Sequence, residues 1–197
     1  MISTSKGEDF TFFETIPHLA GNKVFSDSQD AIDYLTGDFT DIFDGRGPLL
    51  QEARCRDIAE YNAKVENPMP PYVVVVDEFA DLADQLADDR TAKQAFMTTI
   101  RRVAQLGRNR GIHLVLCTQR PSADLVPTNI RTLMNVRVAF RVNDAQASRM
   151  ILNDDDAQYL QMNGDLLYKR ADSLQRCQGF YTTTNVIESV LRDGRIP

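Results

Sequence analysis

The sequence has no tryptophan, only two histidines (His18 and His113), and three cysteines set far apart at Cys55, Cys117 and Cys177. No CxxC pair and no ligand-like His/Cys spacing occurs, which argues against a zinc site or a disulfide framework and fits a reducing cytoplasm. No apolar run approaches the roughly 20 residues that span a bilayer; the longest, Tyr72 to Val76, is strand-sized. No charged segment leads into an apolar one at the N-terminus, so no signal peptide is expected, and any membrane attachment would come from other regions. Positive charge is scarce as well: 22 basic residues stand against 28 acidic ones, a net charge of −6. That excludes a simple basic wrap-around nucleic-acid binder, although basic residues could still line a channel. The lysines are Lys6, Lys23, Lys64, Lys93 and Lys169, and none lies in a Gly-x-x-x-x-Gly-Lys-Ser/Thr loop. The backbone cradle that such a loop builds for a triphosphate is therefore missing.

What is present suffices for a real core. A hydrophobic share of 43% over 197 residues fits one domain, with or without a small appendage. Met1 to Gly7 reads as the tail of a strand running into a loop, a start inside a fold. Ser26-Asp27-Ser28 offers N-cap chemistry ahead of Ala31, Ile32, Tyr34 and Leu35 at helical spacing. Asp38 to Gly47 is expected to be a loop broken by Gly45 and Gly47, and Gln51 to Lys64 a helix ended by the proline-rich 67–71 stretch. Tyr72 to Val76 is a run of β-branched residues bounded by proline and acids, the pattern of a strand buried on both faces in a parallel sheet. A helix over 92–106, a strand over 112–117 with Cys117 as core filler, a strand over 136–142 and a helix over 145–152 follow. A strand pair at 165–169 and 177–181 and a helix over 185–192 close the chain. His113, at a strand start, reads as a structural histidine. The alternation predicts an α/β fold with a mainly parallel sheet flanked by helices.

Three segments carry chemistry. Val73-Val74-Val75-Val76-Asp77-Glu78 is a Walker B pattern. A buried strand delivers its last residues to the carboxyl edge of a parallel sheet, where ligands bind. There Asp77 can hold a nucleotide's magnesium through its water shell, and Glu78 can polarise the water that attacks the γ-phosphate. The same residues would also serve as a strand followed by an acidic helix cap. Thr118-Gln119-Arg120-Pro121 leaves the next strand, where Gln119, and less strongly Thr118, can sense a γ-phosphate; a plain strand exit would look similar. Between Arg101 and Arg149 nine arginines face only Asp124 and Asp144. Arg108, Arg110, Arg137 and Arg141 are candidates to reach a neighbouring subunit's nucleotide, or else they belong to a solvated helix end.

Pro71 to Leu82 resembles the Walker B block of FtsK/SpoIIIE-type DNA translocases, and Gly111 to Ser122 resembles that family's next block. Val138 to Val142, Ser148 to Leu152 and Gly164 to Tyr168 continue the likeness in order. Upstream, Ser5-Lys6-Gly7, Ile16 to Leu19 and Tyr61-Asn62 resemble the stretches before Walker B. Ser3-Thr4-Ser5 departs from an acid and a proline before the lysine. The resemblance implies a RecA-like P-loop NTPase fold truncated at its N-terminal side. Residues 1–197 would be the distal part of one such ATPase domain, with 1–70 a helical connecting region and 71–197 the Walker B and sensor core. It further implies ATP and Mg2+ as cofactors, double-stranded DNA as the partner and a homo-hexameric ring. Glu78, Gln119, Arg108 and Arg141 would act in catalysis, and Asp77 and Thr118 at the nucleotide and metal. Without the phosphate loop the segment alone is expected to be inactive, to bind no cofactor tightly, and to be a monomer or weak oligomer. Two other readings use the same residues: a related ring ATPase that drives protein secretion, and a non-catalytic assembly module.

Overall fold

The structure, a computed structural model, describes residues 1–3, 10–11, 13–14 and 16–193. It divides into two compact units, Met1–Gln119 and Arg120–Pro197. The Ser5-Lys6-Gly7 block of the sequence likeness lies outside the described residues.

The first unit begins with helix α1, Ser28–Thr36, capped by Asp27, whose carboxylate accepts from Asp30 N at 2.9 Å. Next comes α2, Asp38–Glu52, where the sequence predicts a loop over its first ten residues. Phe39, Phe43, Arg46 and Leu50 are buried at one-face helical spacing, and that burial overrides the low intrinsic propensity of Gly45, Gly47 and Pro48. Gly47 also leaves room for the Arg110 guanidinium, which a Cβ would meet at 3.0 Å. The predicted helix over 51–64 is interrupted. Arg54 turns left-handed at φ 52°, and a new short helix, α3 (Ile58–Asn62), starts under the Asp57 cap.

Strand β1, Tyr72–Val76, runs into helix α4, Phe79–Gln85. Helix α5, Arg90–Leu106, buries Phe96, Thr99, Ile100 and Val103 and leads back to strand β2, Ile112–Leu116. β1 and β2 pair in parallel, Tyr72 opposite Ile112 and Val76 opposite Leu116. On the other side of β1, Ile2 forms parallel bridges to Val76 and to Phe25. Residues 1–3 thus run as a strand segment beside β1, as their sequence suggests. Gly111 needs its positive φ of 67° at the turn into β2, and a side chain there would collide with Ile58.

β1 is not buried on both faces. Val74 and Val76 point into the core at 5% and 0% exposure, whereas Val73 is 54% exposed and Val115, on β2, 43%. The described residues pack helices against one face of this pair and leave the other open. Cys117 and His113 are exposed, so neither fills the core.

The second unit contains α6 (Thr128–Arg131), β3 (Val136–Phe140), α7 (Ala145–Leu152), β4 (Asp165–Arg170), β5 (Ser173–Gln178) and α8 (Thr184–Asp193). Its sheet is antiparallel in the order β3-β4-β5. β3 ends two residues short of the prediction. The final strand pair is a hairpin closed by the two residues 171–172, so β5 starts four residues earlier than its sequence suggests. The α/β class stands, with a parallel sheet in the first unit and an antiparallel one in the second. Ala139, Leu152, Ala157, Leu160 and Leu167 form the second unit's core.

Candidate functional site

The parallel ladder continues past the ends of β1 and β2, and this continuation builds the site. Asp77 N donates to Ile2 O at 3.0 Å, Cys117 N to Val76 O at 2.8 Å, and Phe79 N to Cys117 O at 2.8 Å. Asp77-Glu78 and Thr118-Gln119 are thereby held side by side at the carboxyl edge of the strands, where open parallel sheets bind ligands.

The two acids are held differently. Asp77 is half-buried, and its Oδ2 accepts a 3.2 Å hydrogen bond from the hydroxyl of Ser3, which is itself wholly buried. Glu78 is 6% exposed. Its Oε1 accepts from Ala80 N at 3.0 Å and from the Thr118 hydroxyl at 2.6 Å, and its Oε2 accepts from Gln119 N at 2.8 Å. Glu78 therefore does cap α4, the bland role its sequence position allows, and in addition ties the helix start to the exit of β2. Gln119 contributes its backbone N–H to Glu78 and keeps an exposed side chain at the same edge. The thiol of the neighbouring Cys117 is pushed above its ordinary range by partial desolvation and then by the charges of Asp77 and Glu78. Ser3 has no sequence signal of its own; only the bridge of Ile2 to Val76 brings it here.

The four candidate arginines separate. Arg110 stacks on the Phe43 ring with 4.2 Å to the centroid and donates to Phe43 O at 2.8 Å and to Asp44 Oδ1 at 3.2 Å. Arg137 donates to the carbonyls of Arg131, Ile151 and Met134 at 2.9, 3.2 and 3.3 Å. Both side chains are committed to holding their own units together. Arg108 and Arg141 are exposed. Arg108 lies in the turn before β2, at the opposite edge of the sheet from Glu78, a strand length or about 15 Å away. It is therefore not positioned to act on a ligand at its own unit's Glu78.

A parallel sheet edge carrying an Asp-Glu pair in register with a polar exit from the next strand places the first unit in the P-loop NTPase class of α/β folds. The profile of the FtsK/SpoIIIE family matches residues 1–123, and the chain belongs to that family. The DNA translocase FtsK of Treponema pallidum (strain Nichols) is 36% identical over 154 residues, covering 74% of this chain and 18% of that protein. That of Leptospira interrogans (serovar copenhageni) is 33% identical over 197 residues, covering 95% of this chain and 20% of that protein. The chain thus spans about a fifth of the length of the curated relatives it matches. Among solved structures, the pCW3 conjugation coupling protein TcpA, in a monomer form with ATPγS, superposes with a TM-score of 0.83 at 26% identity, covering 98% of this chain and 55% of that one. The cytoplasmic domain of the type VII secretion ATPase EccC of Thermomonospora curvata gives 0.72 at 25% identity, covering 88% and 22%. Among the described residues no helix is long and apolar enough to cross a membrane.

Proposed function

We propose that this chain is the distal part of an ATP-driven motor that moves along double-stranded DNA. The observation that carries the reading is the shared carboxyl edge of Asp77, Glu78, Thr118 and Gln119 in a chain of the FtsK/SpoIIIE family. Asp77 would hold magnesium through water, since one of its oxygens is engaged by Ser3 and the side chain stays half-exposed. Among the described residues no group of three His, Cys, Asp or Glu forms a metal cage. Magnesium is usually held by one or two carboxylates together with substrate phosphates, and Asp77 would be one such carboxylate. Bound ATP-magnesium would supply the phosphoryl group and neutralise its charge. This chain's residues would orient it: Gln119, with Thr118 as the lesser candidate, would read the γ-phosphate, and Glu78 would take up a proton from the attacking water. Arg108 and Arg141 would serve a neighbouring subunit's site in a six-membered ring. The phosphate cradle would come from a loop that this sequence does not contain.

A protein-secretion motor is the second reading, favoured by the likeness to EccC. Salt dependence separates the two, because binding to DNA phosphates weakens steeply as salt rises. The catalytic reading is tested by Glu78→Gln in the protein that carries this segment together with a phosphate loop. Turnover is expected to fall by a factor of about 100 to 10,000 while binding of a fluorescent ATP analogue is kept. Surviving turnover would refute the assignment.

A further inference from the structure

Glu78 is stowed. A carboxylate offers about four lone-pair sites, and three of them are taken by Ala80 N, the Thr118 hydroxyl and Gln119 N. The side chain is also sealed from solvent at 6% exposure. A general base must present an oxygen to the water it deprotonates, within hydrogen-bond reach. Asp77, one residue earlier, is half-buried and has its carboxylate engaged by the Ser3 hydroxyl.

The three donors to Glu78 are not equivalent. Ala80 belongs to the helix that Glu78 itself caps, so it moves with the carboxylate. Thr118 and Gln119 both sit on the exit of β2 and come from 40 and 41 residues away in the chain. A shift of that one turn removes two of the three anchors together. The Gln119 anchor is a backbone N–H two residues past the last ladder bonds, which are made by Cys117. The Thr118 anchor is a hydroxyl at 2.6 Å, a rotor that can donate to the carboxylate in one orientation and release it in another. Hydrogen bonds to an ionised carboxylate are the stronger kind, so this contact weighs on where Glu78 resides.

We propose that Thr118 is a positioning residue that holds Glu78 in its stowed place, so that the exit turn of β2 gates the base. This rests on the motor reading and replaces direct phosphate contact as the main role of Thr118. A purely structural bond would make its removal harmful throughout. A latch makes its removal favour the working position of the carboxylate.

The test is steady-state ATP turnover of the phosphate-loop-containing protein with Thr118→Ala and Thr118→Ser. The latch predicts that Thr118→Ala raises kcat about ten- to a hundredfold, the factor for losing one bond to a charged group, with KM for ATP within twofold, while Thr118→Ser behaves as wild type. A kcat that is unchanged or lower, or a rise shared by Thr118→Ser, overturns it. If Thr118→Ala does not fold, Thr118→Val, the same shape with a methyl in place of the hydroxyl, gives the same reading. Glu78→Gln runs in parallel. Turnover that survives there refutes the catalytic role of Glu78 on which the latch rests, whereas a dead Glu78→Gln with an unchanged Thr118→Ala refutes only the latch.

Discussion

The two units of this chain solve the same problem, holding three or more chain segments in one sheet, by opposite means. In Met1–Gln119 the strands are parallel, so each neighbour must return through a crossover and its start has to be fixed from far away in sequence. Arg46, 7% exposed, does this. Its Nη1 donates to Arg110 O at 2.7 Å and its Nη2 to Pro70 O at 2.8 Å, across 64 and 24 residues, beside the starts of β2 and β1. In the unit from Arg120 onward the sheet is an antiparallel meander, and its buried polar hub works locally. Ser148, fully buried, donates to Asp154 O at 2.5 Å and accepts from Ala157 N at 3.0 Å, spanning six and nine residues. A long-range fold relies on a long, charged side chain; a local one needs only a hydroxyl.

That contrast can be broken at each hub. Arg46→Ala leaves the carbonyls of Arg110 and Pro70 without their charged donor, and the expected loss is about 2–3 kcal/mol. Urea unfolding, read together with amide exchange in residues 72–76 and 112–116, should show it. A loss below 0.5 kcal/mol, the scale of an ordinary surface substitution, would mean that water replaces the guanidinium and that Arg46 is no hub. Ser148→Ala should cost less, about 1–2 kcal/mol, and its amide-exchange effect should centre on residues 145–160. An effect of Ser148→Ala equal to that of Arg46→Ala would erase the proposed difference between distant and local anchoring.

Legibility in the sequence follows the same divide. β1 and the acid pair were readable because a run of four valines ending in two carboxylates has few physical uses. The helix over 92–106 was readable from the spacing of Phe96, Ile100 and Val103. α2 was not, because Gly45, Gly47 and Pro48 signal a break, and only the burial of Phe39, Phe43, Arg46 and Leu50 outweighs them. Ser3 was invisible as a site residue, since its contact with Asp77 depends on a parallel bridge across 74 residues of chain. Thr118 stood in the right place, but a sequence shows the hydroxyl and not the acceptor it chooses. The arginines show the limit most clearly. Charge alone cannot separate Arg110 and Arg137, which are bound to backbone carbonyls, from the exposed Arg108 and Arg141.

The last contrast lies between two ion pairs of the second unit, one buried at its acid and one open to water. Asp165 begins β4 with only 8% exposure. Its Oδ1 and Oδ2 accept from Arg176 Nε and Nη2 at 2.9 and 2.6 Å, and Oδ2 also accepts from Gln161 N at 2.6 Å. The Arg176 guanidinium, followed by the Gln161 amide, holds the carboxyl down at about 2, against an ordinary 3.8. A carboxyl with a lower pKa in the folded state binds fewer protons there than in the unfolded chain. The stability it contributes is therefore complete above the unfolded value and drains away as pH falls from about 4 toward 2. Asp165→Asn removes that titration, so the gap in unfolding midpoint between wild type and variant should be constant above pH 5 and close over this window. Asp155→Asn supplies the contrast. Asp155 pairs with Arg149 at 2.6 Å, with side chains 47% and 58% exposed, and losing a pair so open to water should cost less than about 1 kcal/mol. If Asp165→Asn shows no closing of the gap as pH falls, the buried end of β4 confers no advantage on its carboxylate.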